Sequence, residues 1–187
     1  MAHDVIVVTD GDETAYRAID AACQELELFA LKASQGNPTP LSGKALVQAV
    51  LEAPKEPVVV MVDDRGQADQ GVGERDLEVL LKSPKLNVLG VVAVAANTRH
   101  VEGVAVDASV TQTGEITDGV VDKQGRATSG NTLHGDTVDV LQGHDGLPVI
   151  GLGDPGKMEG HDSMSQGVPA TKKALQEILR RSGYHGS

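Results

Sequence analysis

Short runs of consecutive apolar residues alternate along the chain with segments in which apolar residues recur at helical spacing. Such runs occur at residues 5–8, 57–62, 88–95 and 147–152, and they contain many β-branched residues. Runs of this kind are typical of strands that are buried on both faces of a parallel sheet. The pattern therefore predicts an α/β fold of three layers, a mainly parallel sheet with helices on both faces, similar to a Rossmann fold.

The segments between the predicted strands carry signals for the starts and ends of helices. Asp12 is placed to cap a first helix, and Ser42 is placed to cap a second one. Leucines at residues 77–81 predict a third helix. Residues 169–183 predict the last helix, with a proline in its first turn and a glycine at its end. Apolar residues lie on one face of each segment, as in helices that cover a sheet.

Beyond residue 99 the pattern changes to short β-prone pieces that are interrupted by glycine. Residues 104–126 predict a β-hairpin-like extension, and residues 126–135 predict a loop. Asp136 is placed to cap a short helix that reaches Leu141. We expect residues 1–187 to form a single α/β domain that includes this extension.

The composition narrows the possible functions. Hydrophobic residues make up 40% of the chain but aromatic residues only 2%, so the stacking platforms used by binders of single-stranded nucleic acid are scarce. The formal net charge of −11 repels phosphate backbones and anionic lipid surfaces. No apolar run approaches the roughly 18 residues of a membrane span. We therefore expect no nucleic-acid partner and no direct membrane insertion, and the single Cys23 fits a soluble protein of the cytoplasmic type.

The first two predicted strands both end in acidic residues. Asp10, Asp12 and Glu13 follow the first strand, and Asp63 and Asp64 follow the second. If the two strands are adjacent at the centre of the sheet, a topological switch lies between them, and Asp10, Asp12 and Asp63 converge at one edge. Grouped carboxylates favour a hard cation such as Mg²⁺ or Ca²⁺, so these five residues are a candidate metal site. In the alternative, Asp12 caps the helix, Glu13 complements its dipole, and the others face solvent.

The same strand–DGDE–helix pattern, at residues 5–13, is similar to the acidic motif of Toprim domains. In that family such residues hold Mg²⁺ for phosphoryl transfer. The resemblance is confined to this one motif. It implies an alternative function, that of a Toprim-like Mg²⁺-dependent phosphoryl-transfer enzyme that uses the acidic edge.

A first loop with a defined shape spans residues 34–43. Its two prolines fix φ, and its two glycines permit turns that other residues rarely adopt. Loops of this kind often carry contacts with partners. The candidate contact residues here are Asn37, Pro38, Thr39 and Ser42.

A second loop follows the strand predicted at 147–152. Residues 151–157 match the spacing GxxxxGK, but Met158 stands where a phosphate-binding P-loop requires serine or threonine. We therefore expect this loop to present backbone N–H groups to an anion or a partner rather than to hydrolyse nucleotides. The candidate contact residues are Gly153, Asp154, Gly156 and Lys157.

Five segments of the chain together resemble one family. They are residues 8–13, 36–43, 62–66, 135–141 and 151–158, and they resemble stage V sporulation protein AE, the subunit encoded with the SpoVA group in endospore-forming bacteria. The resemblance extends over essentially the whole chain. It implies a role in sporulation and germination, as an accessory subunit of the machinery that transports dipicolinic acid with Ca²⁺. It also implies other SpoVA subunits as partners and a peripheral position at the spore inner membrane through them.

The resemblance carries over no catalytic residue, so we expect an accessory subunit rather than an enzyme. Dipicolinate is a dianion at neutral pH, and a chain with a charge of −11 does not attract it without cations or a local positive pocket. Ca²⁺ at the acidic edge is therefore the more compatible interaction with the cargo. The loops at 34–43 and 151–167 suit docking onto another subunit.

Overall fold

The computed structural model describes residues 1–64, 71–96, 103–135 and 138–186. Within these ranges the helices are α1 (Glu13–Leu26), α2 (Gly43–Leu51), α3 (Val72–Lys82) and α4 (Pro169–Ser182). The strands are β1 (His3–Val8), β2 (Phe29–Ala30), β3 (Val58–Met61), β4 (Leu86–Val94), β5 (Val104–Ala105), β6 (Ala108–Val110), β7 (Ile116–Thr117), β8 (Val120–Val121), β9 (Ala127–Thr128), β10 (Thr132–Leu133) and β11 (Val149–Leu152). Short 3₁₀ helices occupy Lys32–Ser34, Val138–Leu141 and Met164–Gln166.

The main sheet has the strand order β2-β3-β1-β4-β11-β6-β7. Its strands are parallel except for β7, which pairs with β6 in the antiparallel direction at one edge. This confirms the predicted α/β fold with a mainly parallel sheet. β1 and β3 are adjacent as expected, with Val5 opposite Val58, although the middle strand of the sheet is β4. The order 2-3-1-4 of the first four strands differs from the 3-2-1-4 order of dinucleotide-binding domains.

Helices cover both faces of the sheet, and residues 5–8 of β1 are therefore apolar on both faces. Ile6 and Val8 pack with α1 and α4, whereas Val5 and Val7 pack with α2 and α3. All four side chains are at most 1% exposed. Burying each such side chain contributes about 1.5–3 kcal/mol. β1 leads through α1 to β2 on one side of it in the sheet, whereas β4 leads to β6 on the other side. The topological switch therefore lies between β1 and β4, and the expectation of a switch between β1 and β3 is wrong.

The region 104–135 packs against the main sheet. β6 and β7 form an antiparallel hairpin that extends the sheet, and β8 and β9 form a second one, which confirms the hairpin-like structure predicted near 104–126. The predicted loop at 126–135 is wrong in part, because it contains β9 and β10. These strands of two residues each are too short for a periodic pattern, and β10 pairs with the distant β5. Asp136 lies outside the described residues, and the helix that reaches Leu141 is a 3₁₀ helix.

The helix ends follow the local signals in the sequence. Asp12 accepts a hydrogen bond from the backbone N–H of Ala15 (2.7 Å) and caps α1. Ser42 accepts one from the N–H of Ala45 (3.2 Å) and caps α2. α4 ends before Gly183, whose φ of 73° suits glycine. Among the described residues, none of the helices has both the length and the apolar character that crossing a membrane requires.

Candidate functional site

A cavity of about 270 Å³ lies where β1, β3 and β4 end. We call it the carboxylate cavity, because aspartates from three parts of the chain line it. Its lining residues are Thr9, Asp10, Asp12, Asn37, Asp63, Val94, Ala95, Ala96, Lys123, Asp154 and Lys157. Ligands in parallel α/β folds bind beyond the carboxyl ends of the strands, so this is the expected place for a site.

The turn after β1 brings two aspartates to one backbone N–H group. Asp10 Oδ1 accepts hydrogen bonds from the N–H of Gly11 (2.7 Å) and of Asp12 (3.2 Å). The N–H of Gly11 also donates to Asp63 Oδ2 (3.1 Å), at the end of β3. The structure therefore brings Asp10, Asp12 and Asp63 together at one edge of the sheet.

The loop at 34–43 forms one wall of the carboxylate cavity. The N–H of Gly36 donates to Gly11 O (2.8 Å), and a Cβ atom on Gly11 would lie 2.1 Å from Gly36 O, so only glycine fits between the two backbones. Thr39 is 4% exposed, and its hydroxyl accepts a hydrogen bond from the N–H of Asp63 (2.8 Å). The loop is thereby fixed to the ends of both strands.

The four candidate residues of this loop have different roles. Asn37 lines the cavity, and the Asn37–Pro38 peptide bond is cis. The Thr39 hydroxyl binds the backbone N–H of Asp63 just after β3, and Ser42 caps α2. Of these four residues, Asn37 is the one whose side chain the structure brings to the cavity.

The opposite wall combines the glycine-rich loop after β11 with the turn between β8 and β9. The N–H of Asp154 donates to Lys123 O (2.8 Å), and Lys123 Nζ lies 3.7 Å from Asp154 Oδ2. A Cβ atom on Gly153 would lie 2.6 Å from the N atom of Gly125, so glycine permits this close approach. No sequence pattern marks Lys123 as a site residue, because it reaches the cavity only through this long-range packing.

Lys157 closes the cavity against the start of α1. Its Nζ atom lies 3.1 Å from Asp12 Oδ2. Gly156, with φ of 82°, packs against Thr14, where a Cβ atom would lie 2.9 Å from Thr14 O. No helix begins at Met158, so the GxxxxGK segment has neither the hydroxyl residue nor the helix of a P-loop.

A buried carboxylate keeps the glycine-rich loop in place. Asp162 is fully buried, and its oxygens accept hydrogen bonds from the N–H groups of Gly156 (2.9 Å), Ala170 (2.8 Å) and Thr171 (3.1 Å), and from the Thr171 hydroxyl (2.5 Å). It thus caps α4 and ties the loop to that helix. Val168 lies between them with φ of 46°, a strained conformation for a β-branched residue. Lys157 therefore extends from a tightly packed loop.

The environment of Asp10 disfavours its charged form. The pKa of Asp10 is raised to about 7, chiefly by burial and next by the charge of Asp12. The backbone hydrogen bond from Asp12 opposes this shift, while Asp63 and Asp154 add to it. The Asp10 carboxyl group is therefore partly protonated near neutral pH.

The two lysines offset only part of the negative charge in the cavity. Burial raises the pKa of Asp154 above its ordinary value, although Lys123 and Lys157 lower it. Partial burial lowers the pKa of Lys157, but its hydrogen bond to Asp12 and the charges of the nearby aspartates together outweigh this effect, and the net shift is upward. With four carboxyl groups and two ammonium groups in its lining, the cavity favours a cationic ligand over an anionic one.

Glu13 and Asp64 do not reach this cavity. Glu13 is exposed and pairs with Arg17 at 2.6 Å in the first turn of α1. Asp64 is 2% exposed, and its Oδ1 atom accepts hydrogen bonds from the N–H groups of Gly73 (2.5 Å) and Glu74 (3.2 Å) at the start of α3. Within the described ranges, no group of three or more His, Cys, Asp or Glu residues is arranged to hold a metal ion. A cation site at the carboxylate cavity stays a prediction.

One comparison with known proteins found a match. The family model described as stage V sporulation protein AE1 matches residues 4–182, nearly the whole chain. The comparisons with curated proteins and with solved structures gave no match.

Proposed function

Since this chain belongs to the stage V sporulation protein AE family, whose name assigns it to sporulation, we propose that it is an accessory subunit of the machinery that transports dipicolinic acid with Ca²⁺. In this proposal it acts in both sporulation and germination without catalysing a reaction. Other SpoVA subunits hold it at the spore inner membrane.

The observation that supports this proposal is the convergence of three separate sequence features on one cavity. The acidic turn at Asp10, the loop at 34–43 and the glycine-rich loop at Lys157 are far apart in sequence, and all three line the carboxylate cavity. A mixed-charge cavity of this kind suits a ligand that combines a cation with carboxylate groups. The Ca²⁺ complex of dipicolinate is such a ligand.

The donor groups of the cavity fit part of a calcium site. Asp10, Asp12 and Asp63 supply hard carboxylate oxygens, but Ca²⁺ takes about six to eight oxygen ligands. A chelating dicarboxylate would bring oxygens of its own. Lys123 and Lys157 would donate hydrogen bonds to its carboxylate groups. We therefore propose that the cavity holds the cation together with its chelator rather than the cation alone.

Pull-down of the purified chain with each of the other SpoVA subunits, folded in detergent, tests the proposed function. We expect at least one subunit to retain the chain. A matched control is a tagged acidic protein of similar size and net charge, which should not be retained. If none of the folded subunits retains the chain, the proposal is overturned.

A Toprim-like phosphoryl-transfer enzyme is the second candidate function. The observation in its favour is that Asp10 and Asp63, at the ends of neighbouring strands, accept from the same N–H group. If the chain has this function, Mg²⁺ or Mn²⁺ raises its melting temperature and supports hydrolysis of an aryl phosphate. The Asp10→Asn substitution abolishes both effects. A melting temperature that no divalent cation changes would remove this candidate.

A further inference from the structure

A second concave surface lies between α2 and α3 and shares no lining residue with the carboxylate cavity. We call it the α2–α3 groove. Its volume is about 650 Å³. It is lined by Lys44, Val47, Gln48, Glu78, Val79, Lys82, Ser83, Pro84 and Lys85.

The α2–α3 groove is formed by close packing of the two helices. A Cβ atom on Gly43 would lie 2.6 Å from the Cβ atom of Val79, so the glycine lets the helices approach closely. Asp76 of α3 is 4% exposed, and the backbone N–H of Gly43 lowers its pKa against a larger upward effect of burial. Because these contacts are buried, the spacing of the two helices beneath the groove is fixed before a partner binds.

Apolar side chains form part of the groove surface. Val79 is 36% exposed, Val47 is partly exposed, and Pro84 is exposed. Contact with another protein would remove these side chains from water. An exposed apolar groove between two helices is the type of surface that binds the apolar face of an amphipathic helix.

The charge of the groove is opposite to that of the chain as a whole. Lys44, Lys82 and Lys85 against Glu78 give the groove a net charge of +2, in a chain with a formal net charge of −11. Lys82 pairs with Glu78 at 2.5 Å. Lys44 and Lys85 are exposed, and among the residues that the structure describes neither has a carboxylate partner. The groove therefore attracts a negatively charged partner that the remainder of the surface repels.

We propose that the α2–α3 groove docks an acidic amphipathic helix of a partner protein. The apolar stripe of that helix would contact Val47 and Val79, and its flanking Asp or Glu side chains would pair with Lys44 and Lys85. An exposed ion pair alone contributes little, so the occupant has to bury the apolar surface as well, which a small free anion cannot do. The inference rests on the proposed function only in that the partner is expected among the SpoVA subunits.

Binding of a designed peptide tests the chemistry of the groove directly. The probe is a helical peptide with leucines along one face and glutamates on both flanks, and its counterpart carries lysines in place of the glutamates. We expect the acidic peptide to shift the methyl NMR signals of Val47 and Val79 and the lysine peptide not to do so. Equal effects of both peptides, or unchanged signals of Val47 and Val79, would overturn the inference.

Charge reversal tests the role of the lysines in the same assay. The double variant Lys44→Glu/Lys85→Glu should bind the acidic peptide about tenfold more weakly. The matched control is Lys32→Glu/Lys55→Glu, which changes the net charge equally at exposed positions outside the groove and should bind within about twofold of the wild type. If both variants bind equally, the lysines of the groove do not select the partner, and the inference fails.

The pull-down with SpoVA subunits separates this inference from the proposed function. If the wild type and Asp10→Asn are retained and Lys44→Glu/Lys85→Glu is not, the groove is the docking surface. If all three are retained, the inference is overturned and the proposed function stands. If the wild type is not retained, the proposed function fails and the peptide result decides the inference. If the wild-type chain forms a dimer and Lys44→Glu/Lys85→Glu does not, a second copy of the chain occupies the groove. That result would overturn the proposed partner.

Discussion

Lys157 and Asp12 form an ion pair across 145 positions of sequence, with 3.1 Å between Nζ and Oδ2. The same Asp12 carboxylate caps α1 through its other oxygen, which accepts from the N–H of Ala15 at 2.7 Å. The two interpretations of Asp12 in the sequence, a helix cap and a site residue, are therefore compatible. The ion pair joins the glycine-rich loop to the acidic turn, and it closes the carboxylate cavity on that side.

The lysines of the cavity should control the ionisation of Asp154. Both Lys123 and Lys157 lower its pKa, against a larger upward effect of burial. We expect Lys123→Met and Lys157→Met each to raise the pKa of Asp154 further, with the larger change in Lys123→Met. A titration of the side-chain carboxyl carbons by NMR measures this. The control Lys55→Met should leave the pKa of Asp154 unchanged. If both cavity variants behave like this control, the lysines do not act on the carboxylates as described.

Asp10 should make the stability of the fold depend on pH. Its pKa in the folded protein is raised to about 7, so the folded state holds this proton more tightly than the unfolded chain does. The resulting stabilisation is complete below the ordinary pKa of about 4 and is lost as the pH rises towards 7. An asparagine side chain at this position would keep the acceptor oxygen for the turn without the charge.

We therefore expect Asp10→Asn to unfold at a higher temperature than the wild type at about pH 8, by the equivalent of about 1–3 kcal/mol, and at the same temperature at about pH 4. Thermal denaturation across this pH range tests the expectation. The control Asp145→Asn, at an exposed position, should follow the wild type. A constant difference between Asp10→Asn and the wild type at all pH values would show that the charge of Asp10 is not the cause.

Asp162 should be important for stability although it lies outside the cavity. It is fully buried and accepts four hydrogen bonds that link the glycine-rich loop to α4. We expect Asp162→Ala to lower the free energy of unfolding by about 3 kcal/mol or more, because several buried donors lose their acceptor. Asp162→Asn, which keeps one acceptor oxygen, should cost about 1–2 kcal/mol. Urea denaturation measures both, and an Asp162→Ala variant as stable as the wild type would contradict this role.

Gly11 should tolerate no side chain. A Cβ atom there would lie 2.1 Å from Gly36 O and 2.8 Å from Asp63 Cβ. We expect Gly11→Ala to destabilise the protein by about 2 kcal/mol or more, because the backbones must move apart. Gly119→Ala is the matched control, since the nearest atoms to its Cβ would lie 3.6 Å away. Equal unfolding free energies of the two variants would argue against the close contact between the acidic turn and the loop at 34–43.

The parts of the fold that depend on local sequence were predictable. The apolar run at 5–8 predicts a strand buried on both faces, and Asp12 and Ser42 are recognisable as helix caps, because these signals act within a few residues. The adjacency of β1 and β3 was also predicted, and the expected convergence of Asp10 and Asp63 depended on it.

The parts that depend on long-range packing were not predictable. Lys123 enters the cavity from a turn between two-residue strands, and no pattern near it marks that position. Asp64 binds the start of α3 because of the way that helix packs, although its place after β3 suggested a site residue. Asp162 caps α4 from within a loop that shows no periodicity.

Calorimetric titration of Ca²⁺ with dipicolinate into the chain most directly tests whether the carboxylate cavity holds the cation with its chelator. We expect the wild type and Asp145→Asn to bind the complex, and Asp63→Asn and Asp10→Asn to bind at least about tenfold more weakly. Dipicolinate without Ca²⁺ should not bind at the cavity, because the lining is acidic. If the complex does not bind to the folded wild type, or if it binds equally well to Asp63→Asn, the carboxylate cavity does not hold the cation with its chelator.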